Sequence, residues 1–270
     1  MVRVALLLQY AGKRFHGSQY QAGVRTVQLE LERALSVFLR QPIRAVFSGR
    51  TDTGVHAAGQ VVHFDLPDQD ETQFDLWRLC WGVNGILEAD ASIAAAQIVP
   101  AEFHARFQAV SREYVYRILN RPQRSALLRD THFFIPYLLN VPAMSEAAKC
   151  LAGSHDFAAF RSTNSDRSNT NCSVSRAELL KIAEGQLEFW ITADHFVYNM
   201  VRIIVGTLIE IGLGKRTPES LHQALLAGDR NLAGATAPPW GLTLNAVQYP
   251  EAYKLFETSS DLVSCPGERS

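Results

Sequence analysis

The sequence predicts an α+β protein made of two successive halves, and three observations carry that prediction. Strand-length apolar runs recur between segments whose apolar residues follow helical spacing. The first six such segments fall in the order β-α-β-β-α-β, that of a ferredoxin-like unit. The later segments repeat the theme loosely, without close sequence similarity. At 270 residues and 47% apolar, the chain can bury one large core or two modest ones.

Residues 4–10 form a continuous apolar run, read as a buried strand. Thr26 is placed to cap a helix whose Val27, Leu31, Ala34, Leu35, Phe38 and Leu39 share one face. Strands follow at 43–47 and 60–64, then a helix over 74–84 and a strand near 92–98. In the second half, residues 112–119 alternate like a strand and 142–151 read as a helix. Residues 174–182 and 187–193 pair through a turn at Glu184-Gly185. A helix runs from about Phe196 to Ile211 and is closed by Gly212 and Gly214. A short helix at 221–226 and a last strand at 242–249 complete the series. Residues 162–173 are Asn- and Ser-rich and read as a mobile loop. The expected organisation is an N-terminal α+β domain over 1–105, a C-terminal α+β domain over 106–250, and a peripheral tail over 251–270.

Composition excludes several classes. The longest oily stretch, 203–211, carries Thr207 and Glu210 and is too short to span a bilayer. The first apolar run leads to Gln9 and Tyr10 without a small-residue cleavage site, so a secretory signal is not expected. Cys80, Cys150, Cys172 and Cys265 are widely scattered, a pattern of reduced cytoplasmic thiols rather than disulfides or a zinc site. His56 and His63 flank one strand without nearby ligand partners, so no metal is expected.

Net charge is −1, yet its distribution is uneven. Residues 1–50 hold eight Lys/Arg against Glu30 and Glu32, and residues 51–102 hold nine acids against Arg78. Residues 104–130 hold six arginines, Arg106 among them, against Glu113 and Asp130. The pattern is compatible with a basic face and an acidic back, and equally with charges simply spread over solvated surfaces. Arginines interleave with aromatics in Phe103-His104-Ala105-Arg106-Phe107 and Arg112-Glu113-Tyr114-Val115-Tyr116-Arg117. Arginine grips phosphate and aromatic rings stack on unpaired bases, so this pattern favours an RNA partner.

The most informative segment is Phe47-Ser48-Gly49-Arg50-Thr51-Asp52-Thr53-Gly54-Val55-His56. It sets an arginine two residues before a carboxylate, in a glycine-containing turn between two strands. Four readings of Asp52 compete. It is a turn-former whose carboxylate bonds backbone N–H groups. It belongs to the Asp-Thr-Gly of an aspartic protease, which needs two such carboxylates where this chain has one. It is one of a glycosidase pair, for which no second acid stands out. Or it is a lone nucleophile or base kept anionic by a guanidinium. The fourth reading calls for a second arginine, and Arg202 supplies one. It lies at the edge of the apolar stripe Phe196, Met200, Ile203, Ile204, Thr207 and Ile211, where an arginine needs an anion partner or a path to water.

Ser48 to Ala57 followed by Gly59-Gln60-Val61-Val62-His63-Phe64 resembles the signature of the tRNA pseudouridine synthase A family. Phe103-His104-Ala105-Arg106-Phe107, Arg112-Glu113-Tyr114-Val115-Tyr116, Met200-Val201-Arg202-Ile203-Ile204-Val205-Gly206 and Ala237-Pro238-Pro239-Trp240-Gly241-Leu242-Thr243-Leu244 are similar to its further motifs. The matches keep the family's order over roughly residues 1–250. The resemblance implies two RRM-like halves joined into one large, mainly antiparallel sheet flanked by helices, with an active-site cleft between them. It implies a cytoplasmic homodimer that isomerises uridine to pseudouridine at positions 38, 39 and 40 of the tRNA anticodon stem-loop, with no cofactor. Asp52 would be the catalytic nucleophile or base, attacking the sugar C1′, attacking the base C6, or removing a ribose proton. Arg202 would pair with Asp52, Arg50 would fill the space left by the flipped base, and Tyr114 would stack on the uracil. Leu242 would wall the base, and Arg106 would contact the substrate.

The chain departs from the family pattern at Ser18, where tryptophan is usual, at Glu88, where proline is usual, and at 171–174, where a basic residue is common. These positions lie outside the catalytic set and bear on RNA affinity and substrate range. The rival reading is a non-catalytic RNA-binding protein, against which the joint presence of Arg50, Asp52, Tyr114 and Arg202 speaks.

Overall fold

The computed structural model describes residues 2–66, 74–162 and 169–256. The chain is α+β, with ten strands and five α-helices among the described residues. It divides into two compact units, residues 1–110 with 244–270, and residues 111–243. The expected break after residue 105 therefore falls at 110, and the last strand returns to the first unit.

The first unit is assembled from β1 (Val2–Tyr10), α1 (Val27–Leu39), β2 (Val46–Phe47), β3 (His56–Leu66), α2 (Leu76–Asn84) and β4 (Ala91–Val99). Strand β1 lies between β4 and β3, antiparallel to both, and β2 pairs antiparallel with β3. This is the 4-1-3-2 order of the ferredoxin-like unit expected from the sequence. Thr26 caps α1, its hydroxyl accepting from Leu29 N at 3.3 Å, and Asp75 caps α2 through Arg78 N at 2.9 Å. The strand expected at 43–47 is shorter because its first residues bond to α1 instead of to a neighbouring strand. Ile43 N donates to Ser36 Oγ and Ala45 N to Glu32 Oε1. Buried Val4, Leu6, Leu8, Val62, Phe64, Leu31, Leu35 and Leu79 form much of the core between sheet and helices.

The second unit contains β5 (Ser111–Asn120), β6 (Phe133–Ile135), α3 (Val141–Ala148), β7 (Gly153–Asp156), β8 (Asn171–Ala183), β9 (Gln186–Ala193), α4 (Met200–Gly212) and α5 (Glu219–Ala227). Its strand order is β5-β9-β8-β7, all antiparallel, with β6 parallel to β5. The β8–β9 hairpin turns through Gly185, whose φ of +68° suits glycine. Residues 171–173, expected in the polar loop, open β8 and pair with β7; residues 163–168 of that loop lie outside the described set.

Strand β10 (Leu242–Gln248) carries the chain back into the first unit. The expected peripheral tail is packed at its start. Tyr253 meets the Phe103 ring at 5.1 Å, and Gln97 accepts from Phe256 N at 2.9 Å. Residues 257–270, with Cys265, lie outside the described set.

The charge map is corrected by the structure. The basic 1–50 segment and the acidic 51–102 segment are not separate faces but partners. Arg3 pairs with Asp65 at 2.7 Å, Arg25 with Asp90 at 2.7 Å, and Arg14 with Glu88 at 3.2 Å. Much of the expected positive face is thus neutralised locally.

Candidate active site

The Asp52 loop spans β2 and β3 of the first unit, and hydrogen bonds hold it from both sides. At its entry Ser48 N donates to Val61 O at 2.8 Å, and the buried Ser48 hydroxyl donates to Gln60 Oε1 at 2.5 Å. Gln60 in turn donates through Nε2 to Gly49 O at 3.1 Å. At its exit Val55 N donates to Asp52 O at 3.1 Å, closing a turn whose third residue, Gly54, has φ of +82°. A positive φ at that position is what a type II turn demands. Gly49, by contrast, is not in the left-handed region, so of the two glycines only Gly54 is required by backbone geometry. Between these ends Thr51 is buried, Asp52 is half-buried and Arg50 is exposed. A carboxylate at the mouth of a fixed turn, with an arginine free of the core two residues away, suits attack on a substrate brought from solvent.

His56, at the start of β3, accepts Gly12 N at Nδ1 (3.1 Å) and so ties the turn to the segment that follows β1. His63, farther along the strand, is 3% exposed and accepts Ala105 N at 3.1 Å. Burial, reinforced by Arg3, pushes its imidazole down to about 4. Both histidines hold backbone N–H groups.

Arg106 is exposed at the end of the first unit, its guanidinium 5.9 Å from the exposed Phe107 ring. Phe107 stacks on His104 at 4.2 Å, and His104 Nδ1 accepts Arg106 N and Phe107 N. The arginine thus stands on a folded aromatic turn.

The second unit holds Tyr114, Arg202 and Leu242. Tyr114 sits on β5 opposite Ile191 of β9, and its ring meets Phe196 edge-on at 5.0 Å. The helix expected from Phe196 begins only at Met200, because Asn199 takes a left-handed conformation, φ 62°. Asparagine tolerates that region better than most residues. This bend puts Arg202 in the first helical turn, where its Nη1 donates to Asn199 Oδ1 at 2.7 Å and its Nε to Ala237 O at 2.8 Å. Asn199 Nδ2 donates to Ser162 Oγ at 2.9 Å, so the residue that orients the arginine is itself held.

Residues 234–237 lie directly along α4. A Cβ on Gly206 would fall 1.7 Å from Ala235 O, and Gly234 N donates to Thr207 Oγ1 at 2.8 Å. That close approach brings Ala237 O to Arg202. Tyr116 donates to Pro238 O at 2.8 Å, with its phenol held protonated by burial. Leu242 follows, buried, at the start of β10.

Sequence reading identified the arginine and the carboxylate but missed Asn199, Ala237, Tyr10, Ser18 and Gln60, which hold them or their backbone. Asn199 had a signal, an asparagine directly before a periodic apolar run. The others act through partners far away in sequence and had none.

The fold is α+β, with a loop carboxylate in the first unit and a held arginine and aromatic residues in the second. The comparisons give the class of protein. The family model described as tRNA pseudouridine synthase matches residues 147–250. The chain is 42% identical over 253 residues to tRNA pseudouridine synthase A of Geobacillus sp. (strain WCH70), covering 92% of this chain and 98% of that one. It is 41% identical over 250 residues to the Bacillus subtilis (strain 168) protein of the same name, covering 92% and 99%. Identity to the Pseudomonas aeruginosa protein is 41% over 257 residues, covering 94% and 88%. The chain belongs to the tRNA pseudouridine synthase A family and is an isomerase. No helix among the described residues is long and apolar enough to cross a membrane.

Proposed function

We propose that this protein converts uridine to pseudouridine in the anticodon stem-loop of tRNA, at positions 38, 39 and 40, with Asp52 as the catalytic carboxylate. The observation that carries the reading is the Asp52 turn itself: a half-buried acid on a backbone fixed at Ser48, Gly49, Thr51 and Val55. The uracil detaches from ribose at N1 and rejoins through C5, so neither redox change nor net hydrolysis occurs, and no cofactor is called for. Asp52 attacks C1′ or C6, or removes a ribose proton; all three routes use the same carboxylate.

The target base is stacked within the stem and is flipped out at a cost of a few kcal/mol. The exposed Arg50 occupies the vacated space. Tyr114, braced edge-on by Phe196, stacks on the extruded uracil, and Leu242 gives it an apolar wall. Arg202, pre-oriented by Asn199 and Ala237, serves as the counter-ion that keeps Asp52 anionic. Arg106 contacts RNA phosphate from its aromatic turn. The enzyme acts in the cytoplasm as a homodimer; two copies double the arginine footprint offered to one tRNA.

The test is tritium release from tRNA carrying 5-tritiated uridine, since C5 loses its hydrogen when it bonds to the sugar. Release from transcripts with uridine at 38, 39 or 40 is expected, and none when those positions hold cytidine. No release from any anticodon-arm substrate overturns the reading.

A further inference from the structure

Ser18 stands where the family usually carries tryptophan, a departure expected from sequence to bear on RNA affinity. The structure puts it elsewhere. Ser18 is 1% exposed and grips both main-chain groups of Thr51, the residue before Asp52. Thr51 N donates to Ser18 Oγ at 2.8 Å, and Ser18 N donates to Thr51 O at 3.1 Å.

The Thr51 side chain is held by a second residue. Tyr10 is buried on β1, just past a register shift between Leu8 and Tyr10 in the ladder to β3. Such irregularities re-aim a side chain. The Tyr10 hydroxyl lies 2.7 Å from Thr51 Oγ1, and it accepts from Gln60 Nε2 at 3.5 Å. Gln60 links this pair to the loop: its amide oxygen accepts Ser48 and its amide nitrogen donates to Gly49 O and Tyr10. Burial pushes Tyr10 up to about 12, so its phenol stays neutral throughout the working range.

Five polar side chains, Tyr10, Ser18, Ser48, Thr51 and Gln60, are thus buried together and mutually satisfied. No buried side-chain polar atom among the described residues lacks a partner. A network of this kind rigidifies what it touches, because each member has one favourable arrangement. What it touches is the backbone on both sides of Arg50 and up to Asp52.

We propose that Tyr10 and Ser18 are positioning residues of the isomerisation, acting on Asp52 through the main chain and side chain of Thr51. The inference rests on the function proposed above. It predicts an effect on turnover rather than on tRNA affinity, since misplacing a reacting group by an ångström is costly to rate.

The test measures tritium-release kinetics for wild type, Tyr10→Phe, Ser18→Ala and Ser18→Thr, alongside amide hydrogen exchange of a loop peptide spanning 48–56. Tyr10→Phe and Ser18→Ala are expected to lower kcat about 10-fold, with KM changed less than about twofold. Loop amides should exchange faster in both variants. Ser18→Thr keeps the hydroxyl and should retain most of the wild-type rate and protection. Tyr10→Phe removes one oxygen and preserves packing, so it reports even where Ser18→Ala folds poorly. A raised KM with unchanged kcat, a loosened loop with unchanged kcat, or equal losses in Ser18→Thr and Ser18→Ala each overturns the inference while leaving the isomerase reading intact. An inactive wild type overturns both.

Discussion

The Asp52 turn of the first unit and the Arg202 turn of the second solve the same problem, fixing a charged group, by different means. Asp52 is fixed through its backbone, by buried neighbours that bond Ser48, Gly49 and Thr51. Arg202 is fixed through its side chain, with Nε and Nη1 already committed to Ala237 and Asn199. The difference suits the roles proposed above, because a counter-ion contributes by field and tolerates permanent partners.

Substitutions that remove or displace the guanidinium test that division most strongly. Arg202→Ala is expected to lower tritium release by about 1,000-fold, the scale of losing a preorganised electrostatic group. A near-normal rate would remove the counter-ion from the account. Gly206→Ala sets a Cβ against Ala235 O and must push residues 234–237 off α4. It should cost about 2–3 kcal/mol in urea unfolding and reduce turnover through Ala237. Unchanged stability would show that the segment relaxes freely.

Tyr114→Ala should lower kcat/KM by about 10- to 100-fold, the worth of one base–aromatic stack. Asn199→Ala leaves the guanidinium in place but frees one of its nitrogens, and about a 10-fold loss in kcat is expected, as for a mislaid group. Equal effects of Asn199→Ala and Arg202→Ala would mean that Asn199 holds the helix start rather than the arginine.

The last effect is on stability and lies outside both turns. His63 has its folded pKa lowered to about 4 by burial, with Arg3 and His104 adding to the effect. The unfolded chain takes up a proton near 6.5 and the folded chain resists it, so this stabilisation is full above pH 6.5 and is lost as pH falls toward 4. Asp65, held low by Arg3, loses its contribution only below its ordinary value near 3.8. Urea midpoints measured between pH 7 and 4.5 should fall by the equivalent of about 2 kcal/mol. His63→Asn should flatten that dependence, and an unaltered slope would assign it to other groups.

Much of the frame was legible because its signals are local. Thr26, the Val27–Leu39 periodicity and the Gly185 turn each declare themselves within a few residues. What escaped the sequence depends on distant partners or brief elements. β6 is three apolar residues, too short to stand out as a strand, and β7 is the polar Gly153–Asp156. The apolar rhythm runs through Phe196 and Val197, hiding the break at Asn199 that starts α4. The interleaved ion pairs Arg3–Asp65 and Arg25–Asp90 span more than sixty residues, so a running charge count mistakes partners for separate faces. Near the Asp52 turn, Ser18 looked peripheral because its partner Thr51 is 33 residues away.

The most direct test of the Asp52 assignment compares Asp52→Asn with wild type in two assays on the same tRNA: tritium release and equilibrium binding. The substitution keeps the side chain's size and its capacity to bond within the turn while removing the charge. Tritium release is expected to vanish, with the dissociation constant within about threefold of wild type, under 1 kcal/mol. Retained turnover, or turnover and binding lost in equal measure, would contradict a catalytic role for Asp52 and return it to the turn-former it first resembles.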